Sequence, residues 1–271
     1  MSAPALADAI ALSRTDDGFS TVLSPQWTIG GRPHGGYLMA LLAKAGVAAL
    51  DGNSDHQALD PLAVSAEFLR APETDTASLR TDVRKRGRTA NVISVELTQG
   101  DRRCVQAAVT SGQLPDEPPA WTALPDMPAE PPPSAVRMLP ENSAGMFNLG
   151  RLCETMMDPE QTAFMRGETG GPLRLRLWTR PTDGPPDLSY ALVAGDISPP
   201  VTFQLGRFGW SPTVQMTALL RARPAPGWLR VQIDCTAVHG AWFDADATVI
   251  DSTGRLICQC RQLALSARTD G

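Results

Sequence analysis

The sequence contains few of the residues that bind metal ions or form disulfide bonds. Only three histidines occur in 271 residues, and no two of them stand at the spacing that zinc ligands show. The five cysteines are an odd number spread along the chain, which does not suit the disulfide framework of a secreted protein. Cys258 and Cys260 are spaced to share one face of a strand, and we interpret them as packed thiols. We predict no metal site, no cofactor and a cytoplasmic location.

Long apolar runs and an excess of positive charge are also lacking. No run of about 18 apolar residues occurs, so we expect no membrane span. The first ten residues lack the basic region that begins a secretory signal. Lys and Arg number 24 against 29 Asp and Glu, a net charge of −5, whereas general nucleic-acid-binding proteins are more often basic. We expect neither a membrane nor a nucleic acid as a partner.

Two common catalytic frameworks have no motif in the sequence. No serine stands in a Gly-x-Ser-x-Gly turn, so the nucleophile of an α/β-hydrolase is not predicted. Neither a P-loop nor a Gly-x-Gly-x-x-Gly segment is present, so a phosphate-binding glycine loop is not predicted either.

A proline-rich stretch divides the chain into two halves of similar length. Nine prolines lie within residues 114–140. Because proline fixes φ and has no N–H, this stretch cannot be a helix interior or a central strand. We predict an extended linker at residues 114–140, between an N-terminal unit at residues 1–113 and a C-terminal unit at residues 141–271.

The two halves carry similar landmarks in the same order. Each half has an Ala- and Leu-rich helical run with a tyrosine in its first turn, at Tyr37 and at Tyr190. A Leu-Arg-Ala segment follows in each half, and each half closes on a strand that contains a glutamine, Gln106 or Gln262. The offset between matching residues is nearly constant, so we interpret the chain as a tandem duplication.

Each half is predicted to contain one buried helix and an antiparallel sheet. The first helix, expected over residues 36–50, is apolar nearly all round, as is typical of a buried helix. Segments rich in Val, Ile, Leu and Thr between turn residues predict the strands. The predicted strands are residues 62–70, 78–85, 90–98 and 103–111, then 214–221, 228–238, 242–251 and 255–266. A long buried helix wrapped by an antiparallel sheet is the hotdog arrangement, so the predicted fold is α+β, a double hotdog of two repeats.

Six short segments carry a resemblance to a known family. They are Pro33-His34-Gly35-Gly36-Tyr37, Phe68-Leu69-Arg70-Ala71-Pro72, Arg86-x-Arg88-Thr89, Gly195-Asp196, Pro212-Thr213 and Arg261-Gln262. In their order and spacing the chain resembles the acyl-CoA thioesterase II family of double-hotdog proteins. The resemblance implies an enzyme of lipid metabolism that hydrolyses acyl-CoA, its substrate, to a free acid and CoA.

The resemblance implies that Asp196, Thr213 and Gln262 hold and activate a water molecule. Family members use no covalent nucleophile, and these residues match by position the family's Asp on the second-half helix, Thr on the next strand and Gln on the last strand. The residue types suit this chemistry, because a partly desolvated Asp accepts a proton. Thr and Gln fix a water by hydrogen bonds without titrating.

The start of the first helix is the second predicted part of the site. Unpaired N–H groups and the helix dipole favour negative charge there, and glycine lets a substrate approach the backbone closely. The resemblance therefore implies Gly35, Gly36 and Tyr37 as the group that positions the thioester and stabilises its oxyanion. His34 is assigned to substrate binding as well, with ordering of the loop as the alternative.

Several alternatives stay open at this point. Aligning Tyr37 with Tyr190 places Ala43 opposite Asp196, so one working catalytic site per chain is predicted. The alternative functions are a hotdog enoyl-CoA hydratase, which usually needs an Asp/His pair, and a non-catalytic acyl-CoA-binding protein. The basic run at residues 84–88 either contacts CoA phosphates or is a solvated hairpin end. We also expect a homo-oligomer, because exposed sheet edges favour self-association.

Overall fold

The computed structural model describes residues 5–50, 59–138 and 147–267. Within them, three α-helices and sixteen strands are joined by loops and short 3₁₀ turns. The helices are α1 Leu6–Ala9, α2 Gly35–Ala48 and α3 Leu188–Ala194. The strands are β1 Ser13–Thr15, β2 Gly18–Val22, β3 Thr28–Ile29, β4 Arg32–Pro33, β5 Asp60–Phe68, β6 Thr76–Lys85, β7 Ala90–Gln99, β8 Arg102–Gly112, β9 Val136–Arg137, β10 Cys153–Met157, β11 Arg174–Pro181, β12 Thr213–Leu220, β13 Leu229–Asp234, β14 Val238–His239, β15 Trp242–Ile250 and β16 Leu256–Leu265.

Fourteen of the described strands form one antiparallel sheet with the same strand order on both sides of its centre. At the centre β5 pairs with β12, where Thr217 Oγ1 donates to Ser65 Oγ at 3.0 Å. Outward from β5 the order is β8, β7, β6 and β2, and outward from β12 it is β16, β15, β13 and β11. Each side therefore uses a strand before its helix and four main strands after it, in the same chain order.

Helix α2 is buried because it is apolar nearly all round. Its residues 36–43 are all buried, and it packs against β5, β7 and β8 on one side and α3 on the other. Burial of one leucine such as Leu41 stabilises a fold by roughly 1.5–3 kcal/mol, so α2 supplies a large part of the core. Gly46 brings the helix close to the sheet, since a Cβ there would lie 2.8 Å from Cβ of Val109.

Helix α3 is shorter than its counterpart. Asp187 caps its start by accepting the N–H of Tyr190 at 2.7 Å, and the helix ends at Ala194 after seven residues. The prolines at 199 and 200 follow closely and disfavour a longer helix. The prediction of a long buried helix in each half therefore holds for the first half only. Asp196 lies just beyond α3 and not on it.

The eight predicted strands are confirmed as β5 to β8, β12, β13, β15 and β16, with ends shifted by a few residues. Strands β1 to β4, β9 to β11 and β14 were not predicted from the sequence. In β11 the buried Leu175 and Leu177 alternate with arginines, so the segment lacks the continuous apolar character used to recognise the others.

The proline-rich segment is anchored on the sheet face opposite the main core. Met127 packs with Trp178 and Trp228 in a small cluster separate from that core. Two hydrogen bonds hold the segment there: Trp178 Nε1 donates to the carbonyl of Pro128, and Arg230 Nη1 donates to the carbonyl of Met127, both at 2.8 Å. As its prolines predict, its described part contains no helix, and its only strand is the two-residue β9. Positions 139 and 140 of the predicted linker lie outside the described residues.

All five cysteines are free, and Cys258 and Cys260 lie on one face of β16 with their sulfur atoms 3.6 Å apart. Among the helices in the described ranges, none has the length and apolar character needed to cross a bilayer.

Candidate functional site

A cavity of about 940 Å³ lies where the start of α2 meets the chain after α3 and strands β12 and β16. Its wall is mostly apolar, and its aromatic side chains are Phe68, Phe147, Phe164, Phe203, Phe208, Trp210 and Phe243. Its polar and charged side chains include His34, Asp196, Thr213, Gln262, Arg32 and Arg70. An apolar cavity with a few converging polar groups is typical of a small-molecule site.

Asp196 is fixed at the point where the two helices meet. Its N–H donates to the carbonyl of Val193 at 3.1 Å, which continues the last turn of α3. Its side chain is 10% exposed, and Oδ2 accepts the backbone N–H of Gly36 at 2.8 Å. Among the described residues, Oδ1 has no hydrogen-bonding partner. One carboxylate oxygen is therefore anchored and the other is free to contact a small molecule.

Burial raises the pKa of Asp196 above its ordinary value, because the charged form loses its hydration. The nearby His34 and the N–H of Gly36 act in the opposite direction and lower that pKa. The effect of burial is the larger, so the net direction is upward. A carboxylate with a raised pKa is a better proton acceptor, which is a property of general bases.

His34 links the two halves of the chain, and its hydrogen bonds define its tautomer. It caps α2, since Nδ1 accepts the N–H of Tyr37 at 3.4 Å. With Nδ1 as an acceptor, the neutral ring carries its proton on Nε2. Nε2 lies 3.0 Å from the carbonyl oxygen of Asp196 and 3.3 Å from its Oδ2. In this tautomer the ring donates to Asp196, and both ring nitrogens are engaged in hydrogen bonds.

The glycine pair permits the close approach of α3 and Asp196 to the start of α2. A Cβ on Gly35 would lie 2.6 Å from Oδ2 of Asp196. A Cβ on Gly36 would lie 2.6 Å from the carbonyl oxygen of Leu192 and 2.8 Å from Cα of Val193. Both distances are shorter than non-bonded contacts allow, so any larger residue would push the two helices or the carboxylate away.

Thr213 and Gln262 form a hydrogen-bonded pair on the part of the cavity wall that β12 and β16 supply. Thr213 begins β12, and its Oγ1 donates to Oε1 of Gln262 on the neighbouring β16 at 2.6 Å. The register of the two strands shifts between Thr213 and Gln215, and such irregularities often redirect a side chain. Because the amide oxygen accepts from Thr213, the amide nitrogen of Gln262 is left as a donor.

The structure brings most of the predicted site residues to this cavity. His34, Gly35, Asp196, Thr213 and Gln262 line it. Gly36 is not one of the lining residues, but its backbone N–H donates to Oδ2 of Asp196 and fixes the carboxylate.

Tyr37 does not join the lining residues. Its hydroxyl donates to the carbonyl of Ala9 at 2.9 Å and accepts the N–H of Ser24 at 3.2 Å. Its ring is buried beside Trp27, and its N–H is bonded to His34. The predicted positioning role does not fit this geometry, in which Tyr37 holds α2 to the N-terminal segment.

Two features of the site were not expected from the sequence. The contact between His34 and Asp196 joins residues 162 positions apart, so no local spacing in the sequence reveals it. Phe203, Phe208 and Trp210 lie in the segment between α3 and β12. The high density of aromatic residues in that segment is the signal in the sequence that could have identified them as lining residues.

None of the residues 84–88 lines the cavity, since they form the end of the β6–β7 hairpin.

The matching positions in the other half hold no comparable group. Ala43, which the alignment of Tyr37 with Tyr190 places opposite Asp196, is a buried residue within α2. Gln106, which the sequence comparison matches to Gln262, donates to Glu67 at 2.5 Å, whereas Gln262 accepts from Thr213. The combination of a carboxylate and a Thr–Gln pair therefore occurs in only one of the two halves that the sequence comparison matches.

Comparison of the sequence with protein families gives two adjacent matches. Residues 23–112 match the acyl-CoA thioesterase N-terminal domain, and residues 115–266 match the acyl-CoA thioesterase C-terminal domain. Uncharacterized proteins of Mycobacterium bovis and Mycobacterium tuberculosis are each 42% identical over 264 residues, covering 91% of this chain and 90% of theirs.

Solved structures agree with these matches. A proposed thioesterase II from Thermobifida fusca is similar with a TM-score of 0.83 and 28% identity, covering 97% of both chains. A hot dog fold protein from Alicyclobacillus acidocaldarius has a TM-score of 0.82 at 19% identity, covering 97% of this chain and 98% of that one. An acyl-CoA thioesterase II from Mycobacterium marinum has a TM-score of 0.72 at 13% identity, covering 98% of both. The last two show a common fold, and the Alicyclobacillus acidocaldarius protein has the hotdog fold. Since the two family domains together match most of the sequence, the chain belongs to the acyl-CoA thioesterase family and is a thioester hydrolase.

Proposed function

We propose that this protein hydrolyses acyl-CoA thioesters by attack of a water molecule activated by Asp196, Thr213 and Gln262. The observation that carries the proposal is a buried carboxylate with one fixed and one free oxygen, in the same cavity as a Thr–Gln pair. Together with the family match, this arrangement supplies the groups that a water-dependent thioester hydrolysis needs.

Asp196 acts as the general base. Its Oδ2 is fixed by Gly36 and His34, which leaves Oδ1 to accept a proton from water. As the water oxygen bonds to the thioester carbon, the proton passes to Asp196. The carbon–sulfur bond then breaks, and the same proton is delivered to the departing CoA thiolate, so that Asp196 returns to its ionised state. Its raised pKa suits both steps.

Thr213 and Gln262 orient the attacking water. Thr213 Oγ1 can accept a hydrogen bond from the second O–H of the water, because its own hydroxyl hydrogen already donates to Gln262. The free amide hydrogens of Gln262 can bond the water oxygen before attack. A thioester is an activated acyl group, so correct placement of water and base supplies much of the required acceleration.

The start of α2 stabilises the negative charge that develops on the thioester oxygen. Gly35 is the first residue of the helix, and its N–H bonds to none of the described residues. The helix dipole favours an anion at this end. Gly36 contributes indirectly, because its N–H is engaged by Asp196.

The aromatic wall of the cavity binds the acyl chain. Phe203 packs against Phe164 and Phe208 with ring centroids 5.8 and 5.2 Å apart. Each methylene group transferred from water to such a surface contributes about 0.8 kcal/mol to binding. This wall suits an apolar acyl group rather than a charged one.

We also propose that the chain is a double hotdog made by duplication, with units at residues 1–113 and 141–271 joined by the linker at residues 114–140. The identical strand order outward from the β5–β12 junction supports the duplication. Ala43 in place of a carboxylate supports a single working site per chain.

The contact between His34 and Asp196 favours one second candidate, an enoyl-CoA hydratase on the same fold. In that reaction a histidine would exchange a proton with the substrate. Here Nδ1 accepts from Tyr37 and Nε2 donates to Asp196, so both ring nitrogens are already bonded within the protein. The hydrogen-bonding pattern therefore favours hydrolysis.

A thiol-release assay with acyl-CoA substrates of increasing chain length tests the proposal. Hydrolysis releases free CoA thiol in amounts equal to the acid formed. Loss of the enoyl absorbance without thiol from an enoyl-CoA would establish the hydratase instead. Binding of acyl-CoA with neither change would establish a non-catalytic carrier, and both of these outcomes contradict the proposal.

A further inference from the structure

We infer that Arg70 binds a phosphate of the CoA part of the substrate at the mouth of the cavity. This inference rests on the proposed function, since it names the group that holds the non-reacting end of the same thioester. CoA carries several phosphates, and a guanidinium group binds phosphate through paired hydrogen bonds.

Arg70 and Arg32 are the arginines that line the cavity. Arg32 forms an ion pair with Glu73, which neutralises it. Arg70 is exposed, and in the part of the chain that the structure describes its guanidinium makes neither an ion pair nor a hydrogen bond. On a protein with a net charge of −5, an unpaired arginine at the mouth of a cavity provides a local attraction for an anion.

The backbone of Arg70 is fixed by hydrogen bonds, although its guanidinium makes none within the described residues. The N–H groups of Leu69 and Arg70 both donate to the carbonyl of Cys104, at 2.9 and 3.0 Å. Pro72 follows and is buried. Arg70 is thus a charged group on a rigid support, which limits the entropy lost when it binds.

The chain around Arg70 also leads directly from the reacting centre to the solvent. Two residues earlier, Phe68 packs beside the start of α2, where its ring carbon lies 3.7 Å from the position of a Cβ on Gly35. Leu69 and Trp210, which line the cavity as well, are 46% and 55% exposed. A substrate with its thioester at Asp196 would leave the cavity past these residues and reach Arg70 with its distal, charged part.

The basic run at residues 84–88 is the competing location for phosphate binding. Its members lie at the end of the β6–β7 hairpin and outside the cavity lining. Arg88 in this run is exposed and serves as a matched control for the removal of one surface arginine.

The test compares the two variants Arg70→Gln and Arg88→Gln on two thioesters with the same acyl group, acyl-CoA and acyl-pantetheine, which has no phosphate. We expect Arg70→Gln to lower the ratio of kcat/KM for acyl-CoA to that for acyl-pantetheine by about tenfold, mainly through KM. Arg70→Lys should recover part of this loss, and Arg88→Gln should leave the ratio as in the wild type. An unchanged ratio in Arg70→Gln, or an equal fall in Arg88→Gln, would overturn the inference.

Calorimetric titration with CoA itself separates this inference from the proposed function. CoA should bind Arg70→Gln about tenfold more weakly than the wild type, and added salt should weaken wild-type binding more than that of the variant. This result would support the role of Arg70 even if no thioester were hydrolysed. Equal affinity of the two proteins for CoA would overturn it even if hydrolysis were normal.

Discussion

Gly36 donates its backbone N–H to Oδ2 of Asp196 at 2.8 Å, although the two residues are 160 positions apart. This bond connects the start of the helix in the first half with the end of the helix in the second half. It places a buried carboxylate at the positive end of a helix dipole. The proposed base, Asp196, and the proposed oxyanion-binding region at the start of α2 are therefore joined directly by this hydrogen bond.

Replacing Asp196 by asparagine should reduce kcat for acyl-CoA hydrolysis by about 10²–10⁴-fold, the usual contribution of a general base. Asparagine keeps the size and can still accept the N–H of Gly36, but it cannot take up a proton. Asp187→Asn is a matched control at the other end of α3, because asparagine caps a helix as well as aspartate does. Near-normal thiol release by Asp196→Asn would refute the assignment.

The pH dependence of the rate should show the raised pKa of Asp196. The ionised carboxylate is the active form, so kcat should fall as pH decreases through that pKa. Because burial raises it, the inflection should lie above the value of about 3.9 that is typical of a free aspartate. A rate profile in kcat from pH 4 to 8 measures this, and the acid limb should be absent from the residual activity of Asp196→Asn.

The same substitution should increase stability at neutral pH. A carboxyl group whose pKa is raised in the folded state favours folding below its unfolded pKa and loses that contribution as pH rises through the folded pKa. The wild type therefore carries the cost of a buried charge at pH 7, and Asp196→Asn does not. Thermal unfolding should give a higher Tm for the variant at pH 7 and a smaller difference below about pH 4. A lower Tm of the variant at pH 7 would contradict this account.

The two glycines of the helix start should respond differently to alanine. In Gly36→Ala the new Cβ meets the backbone of Leu192 and Val193, which cannot move independently of α3. We expect a loss of stability of roughly 1–3 kcal/mol together with the loss of activity. In Gly35→Ala the Cβ meets the carboxylate of Asp196, a side chain that can turn away, so activity should fall with a smaller loss of stability.

Denaturant unfolding and kcat of both variants separate these effects. Gly171→Ala is the control, because a Cβ there would come no closer than 3.7 Å to another residue, and it should change neither quantity greatly. Equal losses of stability in Gly35→Ala and Gly36→Ala would show that the clash with Asp196 is not relieved by side-chain rotation.

Much of the fold could be predicted because its signals are local. The apolar helix α2, the proline-rich linker and the alternating strands are each visible within a window of about ten residues. Strand β11 was not predicted because its arginines alternate with the buried leucines and interrupt the apolar pattern. The length of α3 was overestimated because it was inferred from the first helix, whereas α3 ends at Ala194 after seven residues.

The site was predictable only as far as residue types and order allow. Asp196, Thr213 and Gln262 were expected together, and the structure places them on one cavity. The orientation of His34 was not predictable, because it depends on a contact between two halves of the chain. The burial of Tyr37 likewise follows from its contacts with Ala9 and Ser24, which no spacing in the sequence reveals.

Thr213 and Gln262 should act as one unit in catalysis. Each holds the other through the bond from Oγ1 to Oε1, so removing either partner releases the second. Thr213→Val and Gln262→Ala should each reduce kcat by about 10–100-fold, and the double variant should lose little more than the worse single variant. Gln106→Ala, at the matching place on β8, should retain wild-type kcat because Gln106 bonds to Glu67 outside the cavity lining. Fully additive losses in the thiol-release assay would mean that the two side chains contact the water independently, and the shared orientation of water by this pair would then be wrong.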